Sequence, residues 1–437
     1  MSAAGARSRV AAARALLDVL DNGRSLTDAL AGLDAALPAS RDRALVRRLC
    51  HRVLRDRPAL EWRAGLLLRK PLARRARVVH YLLLAGIDQL VEGREPARAV
   101  VHASVEAVRA AGHASLGKLV NAVLRGYQRR ADELEGRLPD DPALRSGYPE
   151  WLLARLRADW PSDWQAIARA GNAVPPVWLR ANRRRTTPEA LCKRLAAADV
   201  PCELDAVAPD GVRLRQQVRI GAVPGFDAGD CSVQDAGAQH AADLLDLADG
   251  QRVLDACAAP GGKTAHALER ADIDVVAVDA DDARAERVTA TLRRLGLAAR
   301  VEVADATAPG DWAGDARWDR ILIDAPCSGT GVLRRHPDIR WLRRPADIGA
   351  NVRVQRALLT ALWPRLRPGG LLVYATCSIL HAENRNVVRD FAANHADAEV
   401  APPALPGSVA TEPGEQILPG SLDRDGFYYA VLRRLRR

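Results

Sequence analysis

Two cysteines stand where a covalent catalyst would need them. Ile321–Leu333 reads ILIDAPCSGTGVL, and Leu371–Ile379 reads LLVYATCSI. Each stretch is an apolar run that breaks into a cysteine followed by a serine, Cys327–Ser328 in one and Cys377–Ser378 in the other. Unbroken apolar runs rich in branched residues suit strands covered on both faces. If the two strands are consecutive and parallel, their carboxyl ends deliver both thiols to one crevice, the place where open α/β sheets bind ligands. A thiolate there can form a covalent intermediate. Elsewhere a buried cysteine is usually an inert small hydrophobe. That inert reading is expected of Cys50, Cys192, Cys202 and Cys231.

A third stretch, Cys257–Lys263, reads CAAPGGK and comprises Cys257, Ala258, Ala259, Pro260, Gly261, Gly262 and Lys263. It sits between an apolar run and a helical pattern. Its glycines let the backbone approach a ligand, and the helix start beyond them supplies free N–H groups. The sequence GGKT invites a phosphate-loop reading, but that motif needs glycine where Cys257 stands. Acids then recur at the ends of successive strand-like runs: Asp279, Asp305 and Asp324. Asp279 is placed to accept from both ribose hydroxyls, and Asp305 from an adenine amino group. One such acid is often only a helix cap; three in succession point to adenosine. Adenosine without a phosphate loop fits S-adenosylmethionine.

The elements that must position these groups alternate from about residue 231 onward. RVLDA, IDVVAVD, ARVEVAD, DRILID and GGLLVYAT read as strands, with helices such as ARAERVTATLRRLG and NVRVQRALLTALWPRL between them. CSVQDAGAQHAADLLDL reads as a helical lead-in, 401–425 as a long loop, and GFYYAVLRRL as a closing strand. The pattern predicts an α/β doubly wound, Rossmann-like, mostly parallel sheet over 231–437. Residues 1–137 follow helical periodicity throughout, broken at Asp21–Gly23, Pro38, Pro71, Pro96 and Gly112 into five or six helices. Between them, 138–230 reads as a linker and a small α/β module. In that module VWLRANRRRT and VRLRQQVRI are predicted strands and PEALCKRLAAADV a helix.

Charge is distributed unevenly. Residues 1–137 hold 25 Lys and Arg against 14 Asp and Glu; the rest of the chain holds 39 against 40. The whole basic excess therefore lies in the first third, as in a polyanion-binding domain joined to a near-neutral one, or in an arginine-rich set of solvated helices. In the small module Arg180, Arg183, Arg184 and Arg185 either contact phosphates or decorate a solvated loop end. No apolar run is long enough for a membrane span, and the basic N-terminus lacks a signal-peptide pattern. Seven cysteines with no CxxC pair argue for a reducing cytoplasm and against a disulfide framework or a zinc site.

With DAPCSGTG and ATCS beside CAAPGGK, residues 231–437 resemble the Sun/Nop family of RNA cytosine-5 methyltransferases. VQD at 233–235, RRHPDIRW at 334–341, EN at 383–384 and DGFYYAVL at 425–432 extend the likeness. GKLVNAVLRG in the first third resembles the NusB-like RNA-binding helical domain, a pairing that marks the bacterial small-subunit ribosomal RNA branch of the family. The resemblance implies Cys377 as the nucleophile toward cytosine C6 and Cys327 as the group that helps release product. It implies Asp324 and Lys263 in the same pocket, and S-adenosylmethionine as cofactor on Cys257–Lys263, Asp279, Asp305 and Asp324. RNA contacts are expected from Arg180, Arg183, Arg184, Arg334 and Arg335. Small-subunit ribosomal RNA is the expected partner, with no metal, no membrane and a monomeric protein. A transfer-RNA methyltransferase of the same family and a non-catalytic assembly factor are the alternatives. Two departures stand out: Ala382 where a second acid is expected before Glu383, and His51–Arg52 where members usually carry Tyr–Gly.

Overall fold

The computed structural model describes residues 3–436. The chain separates into two compact units. One runs to Asn172 and also takes in Arg335–Arg344; the other holds Ala173–Arg334 and the chain from Pro345 onward.

The first unit is helical, as its periodicity predicts. Its long helices are Ala3–Leu20, Ser40–Leu67, Arg77–Glu92, Ala97–Ala110 and Gly117–Gly136, with single turns of helix between them. They bury one core that includes Leu16, Val46, Leu54, Leu84, Ile87 and Leu124. On Gly117–Gly136 the buried side is Val120, Val123 and Leu124, while Lys118, Arg125 and Arg129 are exposed. Arg52, one of the two unexpected residues, places Nε 2.8 Å from the buried Asp88 carboxylate. The segment 335–344 completes this unit through polar contacts as well as packing. Arg340 donates to the carbonyls of Gly147 (3.2 Å) and Gly171 (2.7 Å) and lies over the Tyr148 ring. Trp341 Nε1 donates to the Leu54 carbonyl at 2.7 Å, and Asp338 accepts from the Leu26 amide at 2.9 Å.

The second unit begins with a four-stranded antiparallel sheet: β1 (Val177–Ala181), β2 (Cys202–Leu204), β3 (Gly211–Leu214) and β4 (Cys231–Val233), in the order β2-β3-β1-β4. The helix Pro188–Ala197 packs Leu191 and Leu195 against it. Three details differ from the sequence expectation. VRLRQQVRI stays a strand only to Leu214, which pairs with Val177, the first residue of β1 after Pro175–Pro176; prolines cannot extend the ladder. CSV is strand β4 and not helix; the helix starts at Ala236, where Asp235 accepts from the Gly237 amide. Cys192 and Cys202, expected to be free, are joined as a disulfide with Cα atoms 6.1 Å apart. The helix and β2 fold back on each other and bring residues ten apart face to face, which spacing alone does not show.

The large sheet uses β5 (Arg252–Ala256), β6 (Asp274–Asp279), β7 (Arg300–Val303), β8 (Trp318–Asp324), β9 (Leu366–Thr376), β10 (Ala398–Ala401), β11 (Val409–Ala410), β12 (Glu415–Ile417) and β13 (Phe427–Arg434). Its order is β11-β12-β13-β9-β8-β5-β6-β7, with β10 also on β13. Strands β5 to β9 are parallel to their neighbours and β13 runs antiparallel to β9. The sheet is covered on both faces, because alternate residues of β8 enter different cores. Ile321 and Ile323 pack with Leu358 and Val388, while Leu322 packs with Ala241 and Ala267. The expected long loop at 401–425 holds the small β11–β12 hairpin.

Candidate active site

The carboxyl edge of the parallel strands divides into two halves. On β8 and β9, Ile323 pairs with Tyr374 and Asp324 with Ala375. Beyond the strands the two loops stay in register: the Ala325 amide donates to Ala375, and that of Gly331 to Cys377. Gly331 in turn accepts from Gly426, and a Cβ on Gly331 would run into the Gly426 carbonyl. The close approach thus requires glycine. The result is that Cys327 Sγ lies 3.4 Å from Cys377 Sγ, each residue half-buried.

Lys263, in the first turn of the helix Gly262–Arg270, places Nζ 2.6 Å from Asp324 Oδ2 and faces the Phe427 ring. Burial pulls its pKa down, but the charge and hydrogen bond of Asp324 outweigh it and hold the ammonium above its ordinary range. Cys327 is pushed well above the ordinary thiol range by its hydrogen bond to Cys377, by burial, and by the charges of Cys377 and Glu383.

Glu383 is fully buried in the loop after β9. Its Oε1 accepts from the Ser328 amide (2.8 Å) and from Asn351 Nδ2 (2.9 Å). Its Oε2 accepts from Ser328 Oγ (2.5 Å) and Ser378 Oγ (2.6 Å). Asn384 beside it donates to the Ser378 carbonyl and to Gln416. In the sequence, EN at 383–384 carried resemblance but no role; an acid in a loop gives no sign that it will be buried between two others.

The second half of the edge is acidic. Cys257 takes a positive φ of 62° and Gly261 one of 91° as the chain turns from β5 into the helix. A cavity of about 90 Å³ opens here, walled by Cys257, Asp279, Asp305, Pro326, Val354 and Leu358 among others. Asp279 accepts from the amides of Ala259 (3.1 Å) and Asp281 (3.3 Å) and pairs with Arg284. Asp305 is exposed and accepts from the Thr307 amide and hydroxyl through one oxygen. Asp255, at the end of β5, is buried and was not singled out in the sequence. Burial raises its carboxyl to about 7, although Thr264 donates to one oxygen; the other oxygen has no partner among the described residues. Burial, with the charges of Asp324, Asp279 and Asp255, pushes the Cys257 thiol up to about 12.

Among the arginines expected on RNA, two are placed otherwise. Arg180 is wholly buried, with both forks on Glu269 (2.8 and 2.7 Å) and Nη1 on the Gly262 carbonyl (2.7 Å). Arg334 is buried against Asp425 and donates to the Asp423 carbonyl. A guanidinium sealed against a carboxylate does not reach phosphate, so these two are structural. Arg183 and Arg184 are exposed, with Arg183 3.4 Å from Asp210 and Arg184 on the Leu268 carbonyl. Arg335 lies in the helical unit, partly exposed. That unit also holds a groove of about 830 Å³ floored by leucines and rimmed by Arg69, Lys70, Arg75 and Arg129, with no carboxylate in its lining.

With this geometry in place, comparison with known proteins is direct. The 16S rRNA methyltransferase RsmB/F family profile matches residues 242–433, the ferredoxin-like domain of the RsmF/B-like methyltransferases matches 148–221, and the NusB family matches 6–129. Ribosomal RNA small subunit methyltransferase B of Serratia proteamaculans is 44% identical over 428 residues, 98% of each chain. Its namesake from Yersinia enterocolitica is 43% identical over 425 residues, 97% of this chain and 98% of that one. The chain belongs to this methyltransferase family. The crystal structure of PH0851 superposes with a TM-score of 0.82 at 21% identity over 99% of both chains. A methyltransferase homologue from Pyrococcus horikoshii gives 0.59 at 29% identity, over 67% of this chain and 97% of that one. NSun6 from the same organism, solved with SFG, gives 0.60 at 19% identity, over 66% and 99%. The methyltransferase is thus an enzyme with a NusB-like helical domain, a ferredoxin-like module and a Rossmann-like catalytic sheet. Among the described residues no helix is long and apolar enough to cross a membrane, and no cluster of ligating side chains could hold a metal ion.

Proposed function

We propose that this methyltransferase transfers a methyl group from S-adenosylmethionine to C5 of a cytosine in small-subunit (16S) ribosomal RNA, through a covalent bond between Cys377 and C6. The observation that carries the reading is the 3.4 Å separation of two thiols at adjacent strand ends, next to the Lys263–Asp324 pair. The relatives named for ribosomal RNA small subunit methylation supply the substrate class. They favour it over transfer RNA, and a pair of thiols in contact at two strand ends is surplus to a mere assembly factor.

The residues fit the cofactor. Asp279 and Asp305 wall one cavity, where they would accept from ribose hydroxyls and the adenine amino group, and Cys257, the first residue of the loop that leads to the helix start at Gly262, lines it with them. The structural relative solved with the analogue SFG supports this choice. S-adenosylmethionine supplies, when bound, an electrophilic methyl. C5 of cytosine is too weak a nucleophile to take it unaided. Cys377 adds to C6 and pushes electron density onto C5 and the N3 edge, so that C5 becomes enamine-like. Asp324 accepts a hydrogen bond from the N4 amino group, beside N3, and Lys263 holds Asp324 in place. After transfer the C5 proton leaves, the C5–C6 double bond re-forms, and Cys377 departs with the help of Cys327. The target base must be unstacked to enter a pocket closed by two loops. Arg183, Arg184, Arg335 and the basic groove of the helical unit are the surfaces on which RNA phosphates would lie. The setting is the cytoplasm and the protein acts as a monomer.

Bisulfite sequencing of 16S ribosomal RNA, with and without the gene, tests the reading. One cytosine should lose its protection in the deletion strain and regain it on complementation; an unchanged map would overturn the assignment.

A further inference from the structure

Arg180 does not reach phosphate; what it does reach is the start of the helix Gly262–Arg270. Its strand, β1, is central in the small sheet, with Gly211 of β3 opposite Arg180 on one side and Ser232 of β4 on the other. Nε and Nη2 close on both oxygens of Glu269, and neither side chain is exposed to solvent. That leaves Nη1, which donates to the Gly262 carbonyl at 2.7 Å and to the Gln234 side chain. This carbonyl belongs to the peptide that joins Gly262 to Lys263. A peptide unit is planar and rigid, so a bond that fixes the carbonyl also fixes the plane from which Lys263 departs.

The small module grips the same helix at other points. Asp210 is brought beside β1 by the bond from the Ala181 amide to its carbonyl. Its side chain meets His266 Nε2 at 2.9 Å and Arg270 at 3.3 Å. Arg184 donates to the Leu268 carbonyl at 3.0 Å. Gly262, His266 and Glu269 are spaced by four and three, so they share the face of the helix turned to the module. Lys263 and Thr264 follow Gly262 directly and turn away from that face. They reach the site, Lys263 Nζ at 2.6 Å from Asp324 and Thr264 Oγ1 at 2.6 Å from Asp255. Burying an ion pair adds little net stability, because desolvation offsets the attraction. What the Arg180–Glu269 pair adds is direction. A planar fork set by one carboxylate aims its remaining nitrogen at one carbonyl, which a lysine ammonium cannot do.

We infer that Arg180 is a positioning residue for Lys263, through which the small module holds the amine against Asp324 and so takes part in the methyl-transfer step itself. This rests on the function proposed above and deepens it. With Arg180 in place, the Lys263 ammonium stays on Asp324 and the carboxylate is held for the base. Without it, the helix still carries Lys263 but no longer aims it.

Limiting acetic anhydride on the full-length protein, read lysine by lysine, tests the inference. Lys70, Lys118 and Lys193 are exposed and serve as references. In the wild type Lys263 should acetylate at least about tenfold more slowly than they do, because its amine is paired and mostly buried. Further variants pull positioning and stability apart. Arg180→Met with Glu269→Met replaces the ion pair by apolar groups, so melting should stay near that of the wild type. Lys263 should nevertheless label at least about threefold faster, and kcat should fall about 30-fold at unchanged RNA affinity. Glu269→Gln keeps the bond from Arg180 to Gly262 but leaves a buried charge uncompensated, so it should melt lower while Lys263 stays slow. Arg180→Lys, which keeps the charge and loses the fork, should follow the double variant in labelling and rate. A purely structural contact would make Lys263 labelling track melting across these variants, and that order overturns the inference. Wild-type labelling and kcat in the double variant or in Arg180→Lys overturn it as well. Weaker RNA binding with a flatter salt dependence in the double variant would return Arg180 to the phosphates and overturn it too. Failure of the function itself shows separately, as no methylated cytosine from the wild-type enzyme whatever the labelling of Lys263.

Discussion

The two halves of the sheet's carboxyl edge solve different problems with the same device, a residue placed at the end of a strand or within three positions of it. On β5 to β7 the residues are carboxylates: Asp255, Asp279 and Asp305. Asp279 and Asp305 are engaged with local amides, so they are held still before any ligand arrives. On β8 and β9 the residues are thiols, and they are held by each other and by a buried acid from further along the chain. On the proposed function the first half recognises, through several modest hydrogen bonds, and the second reacts, through two sulfurs in contact. A change in the first half should therefore weaken binding by degrees, whereas a change in the second should alter which chemical step is reached.

The largest effect belongs to Cys377. In Cys377→Ala methyl transfer should fall by at least about 1000-fold with no covalent RNA complex on denaturing gels. Trapped adduct in this variant would assign the attack to the other sulfur. Cys327→Ala should transfer a single methyl per enzyme and then stall. Its product is an RNA–protein complex that survives denaturation, requires S-adenosylmethionine, and is missing from the double variant. In the acidic half, Asp279→Ala should weaken S-adenosylmethionine binding by about 2 kcal/mol, or roughly 30-fold in Kd, as for lost hydrogen bonds to a charged group. Calorimetry giving an unchanged Kd would remove Asp279 from the site. The last effect is on stability. Asp255 has a folded-state pKa raised to about 7, so the folded protein holds a proton that the unfolded chain has lost. Its contribution is present at pH below the ordinary carboxyl value and is lost as pH rises toward 7. Asp255→Asn should melt with a shallower pH dependence, its advantage over the wild type growing between about pH 4 and pH 7. Parallel melting curves would show that burial does not raise this carboxyl.

Much of the acidic half was legible in the sequence because its residues follow their strands directly: the apolar run places the strand, and the next acid is at the edge. The thiols were legible for the same reason. What local pattern does not carry is the identity of a distant partner. Arg180 follows an apolar run just as a phosphate-contacting arginine would, yet its partner, Glu269, lies 89 positions away and is buried with it. Arg334 meets Asp425 in the same way, 91 positions away. Strands β2 and β4 are three residues long, too short for alternation to show, so local pattern gives no sign of the first and suggests helix for the second. Cys192 and Cys202 needed the fold of helix against strand to meet. Glu383 is the sharpest instance, since a charged loop residue is ordinarily solvated, and only two other loops closing over it reverse that expectation.

The residues 335–344 bear on how the protein is made. The helical unit has received almost all of its chain once Asn172 has been synthesised, but Asp338, Arg340 and Trp341 emerge only after the whole small module and strands β5 to β8. Until then the Leu54 carbonyl, the Leu26 amide and the Tyr148 ring lack the partners they have in the finished protein. A product cut short before residue 335 therefore carries a helical unit marked as incomplete. The last piece of the helical unit is translated directly after the Cys327 loop, so the unit can close only in chains that have already acquired the first reactive thiol.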